Sequence, residues 1–252
     1  MKPSQLMYLL LNFLPPWATA VVLVGGAVLV TILVSNAVHR RYDSEGLKGN
    51  NEVAGYTFGV IGAIYGLLLA LALVAVWGGY ARARENAADE EACVRSLHRI
   101  AEGLYGGGGE MEKALERYKV AANGEWGKSL PDAVAVDAVD DMGHLLASER
   151  DASSAPFVAD ALARLDRLAD LRAARRANTQ SGMPSFLWGV MLIGAAVTVG
   201  FSLFFGSPNP HSQRTMTAIL AATLTLVLFA VLEMDHPYEG DIRVRSPFER
   251  RG

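Results

Sequence analysis

Four stretches of this chain carry no acidic or basic side chain at all: residues 17–38, 56–77, 186–205 and 215–232, of 22, 22, 20 and 18 residues. No other feature restricts the fold so strongly. A helix rises about 1.5 Å per residue, so roughly 20 apolar residues cross a hydrocarbon core about 30 Å thick. A helix buried in a soluble core is rarely so long and so apolar on every side. The expectation is four transmembrane helices, the last being the shortest. Of the 252 residues only 19% are charged, below the ~25% usual in soluble domains.

The charges that remain are concentrated in residues 81–185, which hold 18 acids and 14 bases. The chain therefore divides into an N-terminal interfacial segment (1–16), transmembrane helices 1 and 2 (17–80), a soluble helical insert (81–185), transmembrane helices 3 and 4 (186–234) and a C-terminal tail (235–252). At the N-terminus, Lys2, an apolar run over 6–14 and Ala18-Thr19-Ala20 imitate a signal peptide. The run is short, however, and Pro15-Pro16 separates it from the first span. An interfacial helix with Tyr8 and Trp17 at headgroup level is the expectation.

Four spans put both termini and the insert on one side. That side has eleven bases near the span ends, from Lys2, Arg82 and Arg84 to Arg250 and Arg251, whereas the other has four, Arg40, Arg41, Lys48 and Arg214. The positive-inside rule makes the crowded side cytoplasmic, although the Arg40-Arg41 pair argues the other way. The single cysteine, Cys93, permits neither an intramolecular disulfide nor a CxxC pair, and agrees with a reducing compartment.

Helical periodicity dominates the insert. Cys93, Leu97, Ile100 and Leu104 fall on one face, and Glu91 and Arg95 are spaced as an i,i+4 pair. The second span is therefore expected to continue out of the membrane as one long helix, broken by the glycines at 106–109. A second helix follows with Met111, Leu115, Tyr118 and Ala122 on one face. A third starts at the capping box Ser129-Leu130-Pro131-Asp132 and carries Ala135, Val139, Met142 and Leu146. A fourth, capped by Ser153 or Ser154, carries Phe157, Ala161, Leu165 and Leu168. No alternating run of β-branched residues suggests a sheet. The fold class is all-α: a polytopic membrane protein with four transmembrane helices and a cytoplasmic helical bundle inserted between helices 2 and 3.

The second span has the strongest pattern. Gly55, Gly59, Gly62 and Gly66 recur at 4-3-4 spacing. Glycine costs a helix about 1 kcal/mol against alanine, but in lipid small residues let backbones approach closely. The glycine row is expected to pack against a helix, either of the same chain or of a second copy around an axis. The neighbouring row, Phe58, Ile61, Tyr65 and Leu68, either faces lipid and core or forms an apolar constriction along such an axis. Asn51 reads as the N-cap of this helix, with Glu52 at its positive end.

Function classes are excluded more easily than assigned. A net charge of −3 gives no footprint for nucleic acid. No acid or base lies inside a span, which argues against proton-coupled transport. The five histidines have no metal-ligand spacing, Asp137, Asp140 and Asp141 read as a solvated helix face, and no nucleotide or nucleophile motif is present. No catalytic, cofactor or metal site is expected.

Three stretches together resemble the bacterial bestrophin-like membrane family: Asn51-Glu52-Val53-Ala54-Gly55 with the span that follows; Arg172, Arg175-Arg176, Pro184 and Leu187-Trp188; and the segment 235–244, DHPYEGDIRV. Family members usually have Leu where this chain has Met234. The resemblance implies four membrane helices and a cytoplasmic helical insert. By further analogy, bestrophins are pentameric anion channels whose second helices line the pore. The acidic cluster of their calcium clasp is absent here, so calcium gating is not implied. The expected function is a homo-oligomeric ion channel of the bacterial inner membrane, passing small anions past Phe58, Ile61 and Tyr65. The alternative is a non-conducting scaffold or signalling protein that binds a partner through its helical bundle. The plain reading of 235–244 is a turn whose Asp235 and Asp241 pair with Arg172, Arg175 or Arg176, tying tail to insert. A mobile tail is the other possibility.

Overall fold

The structure is a computed structural model that describes residues 15–41, 51–104, 108–128, 133–149, 154–180, 182–203, 205, 209–240 and 242–249. The interfacial segment before residue 15, the Asn51 side chain, the capping box at 129–132, Ser153 and Asp241 lie outside the described residues and side chains. Among the described residues there are seven helices and no strand: α1 (Pro16–Arg41), α2 (Asn51–Ala101), α3 (Gly108–Gly124), α4 (Ala133–Ser148), α5 (Ala155–Gln180), α6 (Ser185–Ser202) and α7 (Pro210–Asp235). Helices α1, α2, α6 and α7 are each long and apolar enough to cross a membrane.

The chain divides into two units. The first comprises residues 1–78 and 183–235, and the second residues 79–182 and 236–252. Helix α2 belongs to both. It continues without interruption through Gly78-Gly79 for 51 residues, roughly 75 Å at the rise of a helix.

In the first unit α7 is the central element, with α1 and α6 each packed on it. Tyr65, Leu69 and Val76 of α2 are buried together with Met191 of α6 and Val231 of α7. Several threonine hydroxyls in these helices bond their own backbone: Thr57 Oγ1 donates to the Val53 carbonyl at 2.9 Å, Thr198 to Gly194 at 2.8 Å and Thr223 to Ile219 at 2.9 Å. Such i−4 bonds remove a polar group that lipid cannot solvate. Helix α6 ends at Ser202, short of the expected residue 205, and the side chain of Gln213 donates to the freed carbonyls of Leu203 and Phe205.

The second unit has the core that its periodicity predicts. Met111, Leu115, Tyr118 and Ala122 of α3, Ala135, Met142 and Leu146 of α4, and Ala161, Leu165 and Leu168 of α5 are buried with Val94, Leu97 and Ile100 of α2. Phe157 is the exception. It stands 54% exposed in the first turn of α5, where the helix supplies neighbours on one side only, and the buried row begins a turn later at Ala161.

Candidate functional site

Two places gather the residues that the sequence singles out. The first is the membrane half of α2. A Cβ placed on Gly59, Gly62 or Gly66 would meet nothing within 4 Å, and one on Gly55 would meet only the edge of the Phe205 ring at 3.9 Å. Among the described residues of one copy of the chain, then, no helix lies against the glycine row.

The adjacent row is divided. Tyr65 is 6% exposed, and its hydroxyl donates to the backbone carbonyl of Met191 at 2.7 Å. Its ring covers Gly194 of α6, where any Cβ would run into the ring. Phe58 lies edge-on to Phe205 with ring centroids 5.5 Å apart, and stacks on Phe201 at 6.2 Å. Ile61 is half-buried. Tyr65 and Phe58 are therefore packing residues that hold α2 to α6 and its end. A tyrosine in an apolar layer needs an acceptor for its hydroxyl, and the α6 backbone provides it. The face of α2 left exposed is the one that carries Tyr56, Leu67 and Val74.

The second place is a buried charge cluster in the unit outside the spans. Arg175 of α5 is 1% exposed, and its guanidinium sits between two buried carboxylates. It donates to Glu90 of α2 at 3.0 and 3.3 Å and to Glu125, just past α3, at 2.9 Å. Arg172, one turn earlier, holds Glu125 with two bonds of 2.7 and 2.8 Å. The Tyr118 hydroxyl donates to Glu90 at 2.8 Å, and the Trp126 ring lies 4.4 Å from the Arg175 guanidinium carbon. Planar guanidinium forks match carboxylates in this way, and an aromatic face adds a cation–π contact. With two charges of each sign, the four ions are balanced.

The electrostatics follow from burial and pairing. Burial, reinforced by the charge of Glu90, pushes the Tyr118 phenol well above its ordinary range. Burial would pull the Arg175 guanidinium down, but the charge and hydrogen bonds of Glu90 more than offset it. Hydrogen bonds to Glu125 hold Arg172 up. Gly127 makes the local turn possible. Its φ is +73°, in the left-handed region, and a Cβ there would press on the Tyr238 carbonyl at 3.3 Å.

Among the described residues the carboxylates on Arg172 and Arg175 are Glu90 and Glu125, and Asp241, one of the two tail acids expected to pair with them, lies outside the described residues. Asp235 accepts from the Met183 backbone N–H at 2.6 Å and the Trp188 indole N–H at 3.1 Å. It thus closes the start of α6, where a negative charge also suits the helix end. Arg176 is half-buried, and among the described residues its Nε has no acceptor. The described residues of the tail reach the helices of the second unit through aromatic and backbone groups. The Trp126 indole donates to the Val244 carbonyl at 2.8 Å, Tyr238 lies edge-on to Trp126 at 5.9 Å, and Phe248 lies edge-on to Tyr118 at 6.1 Å. Tyr238 and Val244 are buried against Ala83 and Ala87.

A sequence signal for Glu90 existed. Ala83, Ala87, Glu90, Val94 and Leu97 follow one helical face and all are buried, so the carboxylate interrupts an apolar stripe and calls for a buried cation. Glu125 had no such signal, because it lies in a turn. The Asp137, Asp140 and Asp141 group is solvated, with Asp141 in a surface pair with Arg117 at 2.8 Å. Among the described residues no group of acids, histidines or cysteine is arranged to hold a metal ion.

The sequence matches the family model of a bestrophin-like domain over residues 21–247. No curated protein matches it. Among solved structures, a bacterial bestrophin homologue from Klebsiella pneumoniae bearing one substitution is similar over 89% of this chain and 94% of its own, with a TM-score of 0.69 at 12% identity. A crystal structure of a membrane protein is similar over 88% of this chain and 91% of its own, with a TM-score of 0.68 at 13% identity. Likeness at such identities establishes a shared fold.

Proposed function

This chain belongs to the bestrophin-like family, and from that premise we propose that it assembles as a homo-oligomeric ion channel for small anions, with α2 lining the axis. One observation carries the reading. The glycine row of α2 is open along Gly59, Gly62 and Gly66 in the single chain. Glycines in a membrane helix lower its intrinsic stability by about 1 kcal/mol each, and they favour places where a second backbone comes close. A neighbouring copy supplies that backbone, and repetition around an axis forms a ring.

In such a ring Phe58 and Tyr65 brace α2 from behind, and Ile61 lies at the edge of that brace. The face with Tyr56, Leu67 and Val74 turns to the axis as an apolar constriction that gates by dewetting. The excess of bases beside the second unit and both termini supports a cytoplasmic position for them at the bacterial inner membrane.

The test is reconstitution. Purified protein in liposomes is expected to release small anions, and particle images are expected to show copies around a continuous axial path. Gly62→Leu, which meets open space in the protomer, is expected to block assembly while leaving the monomer folded. Absence of flux with an axis filled by side chains, or a monomer, would overturn the proposal. A non-conducting scaffold is the second reading. It draws on apolar side chains exposed outside the spans, Val120 (68%), Val134 (51%) and Phe157 (54%), and the absence of flux from an intact oligomer would favour it.

A further inference from the structure

In the first unit α1 and α6 both pack on α7, and an open slot of about 550 Å³ lies among the three helices. Its α1 wall includes Gly26 and Ala27, its α6 wall Ala196 and Gly200, and α7 contributes Ala221. We propose that this slot holds a single lipid acyl chain, independently of whether the protein conducts ions.

Dimensions favour that occupant. The slot follows α6 from Trp188 to Leu203, about 22 Å at the rise of a helix. Volume over length, with a water radius of about 1.4 Å allowed on every side, gives a width of roughly 8 Å, whereas a helix with its side chains needs about 10–12 Å. A neighbouring helix therefore cannot enter. A polymethylene chain can, since non-bonded carbons pack about 3.5–4.0 Å apart.

Chemistry agrees with size. Every lining residue lies on or at the end of a helix apolar enough to cross a membrane, so the slot opens onto hydrocarbon. Among the described residues its walls carry no charged side chain. The Thr225 hydroxyl on the α7 wall is turned to the Ala221 carbonyl at 2.7 Å. Trp188 stands at one end with its indole N–H on Asp235, the posture of an aromatic residue at the headgroup level. The small residues make the slot. A Cβ on Gly26 or Gly200 would meet nothing within 4 Å, so larger side chains there are expected to fill the space without displacing a helix. In lipid the gain comes from close dispersion contact, because burial from water is no longer at issue.

The experiment uses the full chain in detergent. Native mass spectrometry is expected to find about one retained lipid per chain in the wild type and almost none in Gly26→Leu/Gly200→Leu. In a Trp17→Phe/Trp77→Phe background, a dibrominated stearic acid is expected to quench Trp188 fluorescence saturably, and the filled slot is expected to lose that component. If the double variant misfolds, Ala196→Phe fills the slot from an exposed position and serves instead. Lipid retention unchanged by filling would overturn the proposal. So would quenching without saturation in the wild type, or lipid that enters only after residues 1–14 are deleted.

Discussion

Replacing Arg175 with Met tests whether the charge cluster holds the second unit together. The substitution removes the donors to Glu90 at 3.0 and 3.3 Å and to Glu125 at 2.9 Å, together with the cation–π contact over Trp126 at 4.4 Å. Glu125 keeps its two bonds from Arg172, and Glu90 keeps only the Tyr118 hydroxyl among the bonds described above. A carboxylate with 0% exposure is left without its cation. Breaking a buried pair in this way costs about 3–5 kcal/mol. At roughly 2–4 °C per kcal/mol for a protein of this size, the melting midpoint is expected to fall by about 6–20 °C. Thermal size-exclusion in detergent measures that drop, and Trp126 fluorescence reports the same site. Arg175→Met/Glu90→Met removes both partners, leaves Arg172 and Glu125 as a neutral pair, and is expected to recover all but about 1–2 kcal/mol. A single variant that melts with the wild type, or a double variant whose loss is the sum of the two single losses, would refute the reasoning.

Other consequences follow from the same geometry. Tyr65→Phe removes a 2.7 Å hydrogen bond and is expected to lower stability by about 1 kcal/mol, read as a small fall in melting midpoint. Gly194→Leu places a side chain in the Tyr65 ring and is expected to part α2 from α6, so cysteine cross-links engineered between these helices should fail to form. Asp235→Ala removes the acceptor for the Met183 N–H and the Trp188 indole; the expected loss is about 1–3 kcal/mol, with a shift in Trp188 emission. Tyr118 and Tyr238 have folded values raised above the 10.0 of an unfolded tyrosine, by burial first in each case. Their contribution to stability is therefore complete below pH 10 and is lost as pH rises through the folded values. Alkaline difference absorbance should show both phenols ionising late and only with unfolding, and Tyr118→Phe should reduce the steepness of the alkaline loss.

Elements that answer to one-dimensional patterns were legible in the sequence. The uncharged runs located α1, α2, α6 and α7, since lipid imposes its demand on each helix separately. The 3.6-residue apolar periodicity located the buried faces of α3, α4 and α5 for the same reason. Continuity of α2 was also legible: Gly78-Gly79 lowers helix propensity, but Tyr80, Ala83 and Ala87 continue an apolar face across it. Phe157 marks the limit of that logic. Its spacing fits the face of Ala161 and Leu165, yet burial depends on what stands opposite, and a first-turn position has less opposite it.

Pairings were a different matter. Arg172, Arg175 and Arg176 of α5 announced a need for anions, and the acids of 235–244 were the nearest candidates in chemical terms. The structure draws the anions from α2, 85 residues before Arg175, and from a turn 50 residues before it. A long-range ion pair has no period in sequence, so only an acid on an otherwise apolar stripe, as at Glu90, betrays one member. The tail follows the same rule. Its link to the helices of its unit passes through Trp126, Tyr238, Val244 and Phe248, aromatic and backbone groups that carry no charge to match. Such groups are recognised by shape across the gap, which a sequence does not record. The same gap explains the glycine row of α2. Its small size was readable at once, but whether it met a helix of its own chain depended on where α6 and α7 were placed, and Tyr65 holds them on the other face.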